Sequence, residues 1–180
     1  MPPTVAAVGD VATNAELVTA RLSLRRPVRG DAEAILNICG EPHPGVTTVP
    51  DLGAARRLYG EWDDHWDRYG YGYWVLRYLD NDAALGFCGI RSMNMPAGPA
   101  LNLYYHLAAG AWGRGIATEA ATAVVTWSRT HLPDLPVIAR IQPDNTASPG
   151  VALRAGLSSA EHLDIDSWIH YATPADWGHT

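Results

Sequence analysis

The chain contains no lysine: all 13 of its Lys and Arg positions among 180 residues are arginine. That removes any phosphate loop of the G-x-x-x-x-G-K-[ST] type, which needs the lysine ammonium group on the terminal phosphates. Excess positive charge is missing as well. Nineteen acidic residues outweigh the arginines for a formal charge of −6, so there is no basic footprint for a nucleic-acid backbone and no nucleic-acid partner is expected. No run of 18 or more apolar residues occurs, and the first twenty residues lack the charged start and long apolar centre of a secretory signal. The expectation is therefore a cytoplasmic protein with no membrane partner. Only two cysteines are present, Cys39 and Cys88, each inside an apolar run. They read as small buried hydrophobes in a reducing compartment, although sequence alone leaves a pairing of the two open.

What is there is 47% hydrophobic, enough for one full core in a chain of this length. Residues 1–18 are small and polar, begin with two early prolines and show no period that would bury them, so they read as a flexible N-terminal tail. Residues 19–180 read as a single domain. Within it Leu22 and Leu24 alternate as a short strand, and Asp31 is placed to cap a helix running to Cys39 before Gly40. The proline-rich stretch from Glu41 to Pro50 is a loop. After it Ala55, Tyr59, Trp62, Trp66 and Tyr69 recur at helical spacing, which predicts a helix over Asp51 to Tyr69. Runs at Tyr73–Tyr78, Leu85–Met93 and Leu101–Leu107 read as a meander of three strands, the first pair joined across Asp80-Asn81-Asp82. A glycine turn at 110–115 then leads into an apolar stripe of Ala117, Ala120, Ala121, Val124 and Val125, helical to about Thr130. Pro136–Gln142 is a further strand, Ser148–Ala155 a short helix before Gly156, and weaker strands fit Leu157–Leu163 and Ser167–Ala172. The predicted class is α/β of the α+β type: a mixed, largely antiparallel central sheet of about six or seven strands flanked by about four helices.

The turn Trp112-Gly113-Arg114-Gly115-Ile116-Ala117-Thr118 lies between a strand and a helix. Glycines there let backbone amides approach a ligand, and the helix start adds about half a positive charge, so the turn can cradle a pyrophosphate. Two isolated glycines would by themselves mean only a turn with special dihedrals. A dinucleotide fingerprint G-x-G-x-x-G would need glycine where Thr118 stands and a parallel βαβ setting, which the preceding meander contradicts.

The same turn resembles the pyrophosphate loop of the GNAT acetyltransferase superfamily, [QR]-x-x-G-x-[GA], matched by Gly115 and Ala117. Trp112 in place of Gln or Arg, within Trp112 to Ala120 (W-G-x-G-x-A-T-E-A, with Glu119), is similar to the RimJ/RimL-like branch. Further pieces follow in register. Arg21-Leu22-Ser23-Leu24-Arg25 and Asp31-Ala32 resemble the branch's opening strand and first helix. Gly72, Trp74 and Val75 resemble its G-x-W-x-V strand, Leu85 to Gly89 its I-G-x-x-G strand, and Asn102 to Leu107 the strand leading into the loop. Asp144-Asn145-Thr146-Ala147-Ser148 with Gly156-Leu157 resembles its D-N-x-x-S and terminal G-F. The resemblance covers about Thr19 to Tyr171.

It implies acetyl-CoA as cosubstrate, an amine as acceptor and a homodimer as an oligomeric option. The implied coenzyme residues are Tyr105, Leu107, Trp112, Gly113, Arg114, Gly115, Ile116, Ala117, Thr118, Asn145 and Ser148, with Leu107 offering backbone groups where two strands splay. Acetyl transfer to an amine needs a neutral nitrogen, a polarised thioester carbonyl and an acid for the leaving thiolate. Ser148 is the family-matched group for the thiol end; before Pro149 it also reads as a helix N-cap. Asn145 reads equally as a turn residue. Asn102 stands where many relatives carry Glu and cannot act as a base. His106, which alternates onto the same strand face, is a candidate base. Ala152 replaces the tyrosine that serves many relatives as thiol acid. Glu41, His43, Trp62 and Trp66 are candidates for the acceptor site, and the acidic balance points to a cationic acceptor. Asp63, His65 and Asp67 are spread around their helix and read as solvated charge rather than a metal site; no metal is expected. The expected function is acetyl-CoA-dependent N-acetylation of a protein N-terminal or small-molecule amine. The alternative is a catalytically degenerate acyl-CoA-binding regulatory domain.

Overall fold

The computed structural model describes residues 16–43, 46, 48–164 and 166–174. Eight strands form one sheet in the order β1-β2-β3-β4-β5-β6-β8-β7. They are β1 (Leu17–Val18), β2 (Leu22–Arg25), β3 (Tyr73–Tyr78), β4 (Asn81–Met95), β5 (Gly98–Leu107), β6 (Val137–Ile141), β7 (Ser158–Ser159) and β8 (Ile169–Ala172). Every neighbouring pair is antiparallel except β5 with β6. Among the described residues there are four α-helices: α1 (Ala32–Cys39), α2 (Leu52–Tyr69), α3 (Ile116–His131) and α4 (Ser148–Arg154). No helix among the described residues is long and apolar enough to cross a membrane.

The helices begin and end for local reasons. Asp51 caps α2 by accepting the Ala54 N–H at 2.7 Å, and Gly70 closes it in the left-handed region. Asp31 makes no such cap for α1, contrary to the sequence expectation. Its buried carboxylate instead accepts the Val28 N–H at 2.7 Å, forms a bidentate pair with Arg25 and meets Arg77 at 3.1 Å. Burial opposes its ionisation, but the Arg25 and Val28 hydrogen bonds outweigh that cost and hold the carboxyl below its usual value.

Two differences from the predicted strands have physical causes. The β4–β5 hairpin runs from Asn81 to Leu107 with a turn of only Pro96 and Ala97. Its outer ends are exposed, so hydrophobic alternation marks only the buried middle. At the other end of the chain, a full strand over Leu157–Leu163 does not form. Only Ser158–Ser159 pair with β8, after which a 3₁₀ turn over Glu161–Leu163 swings Leu163 into a small core with Ala100, Ile138 and Ala172. Leu17–Val18, read from sequence as part of the tail, pair with β2; residues 1–15 lie outside the described residues.

The sheet is buried on both faces. Helices α1 and α2 cover one, with Ile35, Ile38, Trp62, Val75 and Phe87 between them. Helices α3 and α4 cover the other over Trp74, Ile90, Leu101, Leu103, Val124 and Val125. Trp62 and Trp66 belong to this packing rather than to an acceptor site: they are 3% and 2% exposed. Trp62 meets Tyr73 and Phe87 edge-on, while Trp66 donates its indole N–H to the Tyr73 carbonyl at 3.0 Å and contacts Trp74. The other helical residues in question separate in the same way. Asp63 and Asp67 both pair with Arg26. His65 turns inward, its Nδ1 beside the Tyr71 carbonyl and its Nε2 accepting the Ser92 N–H.

Candidate functional site

The site arises where the sheet comes apart. Strands β5 and β6 pair only over Leu101–Leu103 with Val137–Ala139, yet β5 continues to Leu107 and β6 to Ile141. The Leu101 N–H donates across this edge to the Pro136 carbonyl at 2.8 Å. Because backbone polarity alternates along a strand, the main-chain groups of Tyr105 and Leu107 are turned to the same edge, into the gap. Trp112, 58% exposed, donates its indole N–H to the Leu107 carbonyl at 3.0 Å. One of the backbone acceptors expected to face a ligand is therefore met by the tryptophan that distinguishes this loop.

Beyond the gap, Gly113 and Gly115 hold φ of +71° and +73°, where an L side chain is strained. A Cβ on Gly113 would point into open space, and one on Gly115 would lie 3.6 Å from the Arg21 guanidinium. Helix α3 starts there without a side-chain cap, leaving its first-turn amides to be satisfied from outside the helix. Glu119, in that first turn, is turned away from the opening. It accepts from the Thr19 hydroxyl at 2.6 Å and pairs with Arg21 at 2.6 Å, while Arg21 also donates to the Arg114 carbonyl at 3.0 Å. This clamp ties the β1–β2 turn to the loop and explains the glutamate of the motif.

A cavity of about 590 Å³ opens over the cradle and is lined by Tyr105, Leu107, Trp112, Gly113, Gly115, Ile116, Ala117, Thr118, Asn145 and Ser148. Of the sequence-predicted coenzyme residues, only Arg114 is absent from its walls. Arg114 is exposed, and its carbonyl is already held by Arg21. Sequence reading missed Arg154, which lines this cavity and places its Nε 3.4 Å from the Thr118 hydroxyl. Arg154 has no ion-pair partner among the described residues. Its position on the last turn of the short α4 carried no motif that could have singled it out.

A second cavity of about 270 Å³ lies on the other side of the splay, lined by Asn102, Tyr104, Arg140 and Trp168 among others. The two cavities share His43, Tyr105, Asn145 and Ser148. Ser148 thus stands at their junction, and it is not an N-cap. Asn145 does that work, accepting the Ser148 N–H at 3.2 Å, while α4 begins without a capping bond from Ser148 itself. The Tyr105 hydroxyl donates to the Ser148 carbonyl at 2.9 Å and fixes the helix start against β5.

His106 and Asn102 do share one strand face, but their surroundings differ. His106 is 4% exposed and lies against the His43 ring, tilted by 45° with 4.7 Å between ring centres. Its Nδ1 lies 3.2 Å from the Tyr104 hydroxyl and 3.7 Å from Cys39 Sγ. Burial, aided by repulsion from His43, pushes its pKa down to about 4, so it is neutral at pH 7 and a weak base. The Cys39 thiol is pushed up to about 11 by burial and is no nucleophile at neutral pH. Asn102 is partly buried and lines the smaller cavity.

A splayed mixed sheet, with a helix start at the splay and cavities on both sides, defines the acyl-transferase class of α/β folds. The sequence matches the acetyltransferase (GNAT) domain over residues 21–158, and the chain belongs to that family. A curated relative, the uncharacterized N-acetyltransferase p20 of Bacillus licheniformis, is 26% identical over 146 residues, covering 79% of this chain and 80% of its own length. The crystal structure of an acetyltransferase from Agrobacterium tumefaciens superposes with a TM-score of 0.77 at 23% identity, over 89% of this chain and 95% of that one. RimL, the ribosomal L7/L12 α-N-protein acetyltransferase solved in complex with coenzyme A, superposes with a TM-score of 0.68 at 20% identity, over 89% and 98%.

Proposed function

We propose that the protein transfers an acetyl group from acetyl-CoA to a primary amine by direct attack on the thioester. The observation that carries this reading is the meeting of two cavities across the β5–β6 splay at His43, Tyr105, Asn145 and Ser148. The larger suits the coenzyme: its pyrophosphate at the first-turn amides of α3 beside Arg154, its pantetheine arm along the edge of Tyr105 and Leu107. The smaller suits the amine, and the thioester carbonyl falls between them. The nitrogen lone pair forms the new C–N bond and the C–S bond breaks. One proton leaves the amine for solvent, and one reaches the departing thiolate. Ser148, with its hydroxyl unused by the helix cap, is the group placed to supply the latter.

The acceptor's own pKa matters because neither of the two candidates on β5 is a strong base. Asn102 cannot take a proton, and His106 holds one poorly at pH 7. Deprotonating a lysine-like amine at pH 7 costs on the order of 4 kcal/mol, whereas an α-amine near 8 costs about 1 kcal/mol. This favours α-amines, in keeping with the RimL-like branch. A second reading, coenzyme binding without turnover, is favoured by Asn102 standing where relatives carry glutamate and by Ala152 being buried where relatives place a tyrosine.

The deciding experiment is calorimetric titration with acetyl-CoA, with NAD as control ligand, followed by thiol-release assays on an α-amine panel. Micromolar acetyl-CoA binding, no NAD response and thiol release are expected. Binding without release across the panel would select the second reading, and no acetyl-CoA binding would overturn both. Gly115→Glu is expected to weaken acetyl-CoA at least ~100-fold by placing a charge at the helix start, while its left-handed φ costs about 1 kcal/mol of stability. Retained affinity in the folded variant would place the coenzyme elsewhere.

A further inference from the structure

We propose that the acceptor carries an anionic group, carboxylate or phosphate, and that Arg140 binds it in the smaller cavity. The proposal rests on the reading that this cavity takes the acceptor. Four arginines lie on strands of the sheet: Arg25, Arg77, Arg91 and Arg140. In a chain with more acids than bases, the first two have found a carboxylate, the buried Asp31. Arg91 and Arg140 have no ion-pair partner among the described residues, and both are on the cavity face. Arg91 is directly opposite Asn102 on β4. Ile138 is opposite Asn102 on β6, so Arg140, two residues on, points to the same side, and it lines the cavity.

The guanidinium of Arg140 is also held in place. It lies 4.8 Å from the centre of the Trp168 ring, a geometry that orients the cation while leaving its N–H donors for a ligand. No Asp or Glu lines the cavity among the described residues. The nearby carboxylate of Asp164 is committed to His170, accepting its backbone N–H at 2.8 Å and meeting Nδ1 at 3.2 Å. The only fixed charge in the cavity wall is therefore positive, which reverses the cationic acceptor expected from the overall acidic balance. A volume of about 270 Å³ admits an amine of roughly amino-acid size. An ammonium-bearing acceptor with a second cationic group meets repulsion there, whereas one with an anion gains a fork of donors.

The test compares acceptors that differ by one anion, with rates expressed per neutral amine because the anion also shifts the amine's pKa. The pairs are aspartate with asparagine, which differ in the side-chain carboxylate, alanine with alaninamide, and phosphoethanolamine with ethanolamine. Acetyl transfer is read as the ratio of kcat/KM within each pair. The corresponding N-acetylated products and their neutral counterparts are titrated into the CoA-saturated protein as an activity-free readout. We expect at least one anionic member to be favoured tenfold or more, and Arg140→Gln to bring that ratio to near one. Arg140→Lys should retain part of it and Arg140→Glu should invert it. The carboxylate and phosphate pairs separate the two sources of the anion. Equal use of both members of every pair, or a ratio unchanged in Arg140→Gln, would overturn the proposal. Should the protein bind acetyl-CoA without turnover, the product titrations still decide it. If acetyl-CoA does not bind, the transferase reading fails separately, and the same titrations on the apo protein show whether the anion site stands.

Discussion

Two halves of one sheet behave differently. From β1 to β5 every strand is paired antiparallel to the next, the middle of the sheet is covered on both faces, and polar groups such as those around Asp31 are spent on internal bonds. From β5 to β6 the pairing lasts three residues and then fails, leaving strand edges, an uncapped helix start and two cavity arginines, Arg140 and Arg154, without acidic partners among the described residues. The closed half holds the fold; the open half is unsatisfied in the way a binding site has to be. Stability should therefore be lost by disturbing the first and ligand affinity by disturbing the second.

The strongest test of that division is Asp31→Asn. It leaves Arg25 with no ionised partner and Arg77 with only the exposed Asp82, and should cost about 3 kcal/mol in urea unfolding. Acetyl-CoA affinity should be unchanged at temperatures where the variant is folded. A loss of affinity in proportion to stability would mean that the halves are not independent.

A pH titration tests the same boundary, because two of the three buried histidines among the described residues, His65 and His106, fall on either side of it. His65, in the closed half, and His106, beside the cavities, are both pushed down to about 4, in each case chiefly by burial. The unfolded chain takes up these protons near pH 6.5 and the folded chain only near 4. Their stabilisation is thus complete above pH 6.5 and is lost as pH falls toward 4, by up to about 1.4 kcal/mol per pH unit for each. Urea midpoints between pH 7 and 4.5 should show this slope. Bound acetyl-CoA and acceptor should change the His106 share and leave the His65 share alone.

Arg154→Gln should weaken acetyl-CoA by about tenfold at low salt and by less at high salt, as expected for a partly exposed phosphate contact. Calorimetry at two ionic strengths checks it. An unchanged affinity would leave the α3 amides as the only anion site.

The closed half was also the more legible from sequence. Alternation and helical spacing locate β2 to β5, α2 and α3, because burial on a sheet face or helix stripe leaves a periodic trace. The cradle was readable for another reason: glycines at positive φ are hard to replace. What the sequence concealed depends on contacts between distant segments. Trp62 and Trp66 have the composition of a binding site, and only the packing against Tyr73, Phe87 and Trp74 shows them to be core. Arg140 sits in an apolar run that reads as an ordinary buried strand. Only the loss of pairing beside it, and Trp168 from near the end of the chain, make it a cavity residue.

Ser148 gives the smallest and sharpest test. A serine before proline at a helix start reads as a cap, and removing a cap costs about 1 kcal/mol. Here Asn145 holds the helix start and Ser148 lines both cavities where they join. Ser148→Ala should therefore leave the urea midpoint within about 0.5 kcal/mol of the parent, the range of neutral surface substitutions. It should lower kcat by roughly tenfold, within the range of a single proton-transfer group, with little change in KM for acetyl-CoA. Asn145→Ala should show the opposite division, losing stability first. If Ser148→Ala loses stability and keeps its kcat, the serine belongs with the closed half, and the thiolate takes its proton from solvent.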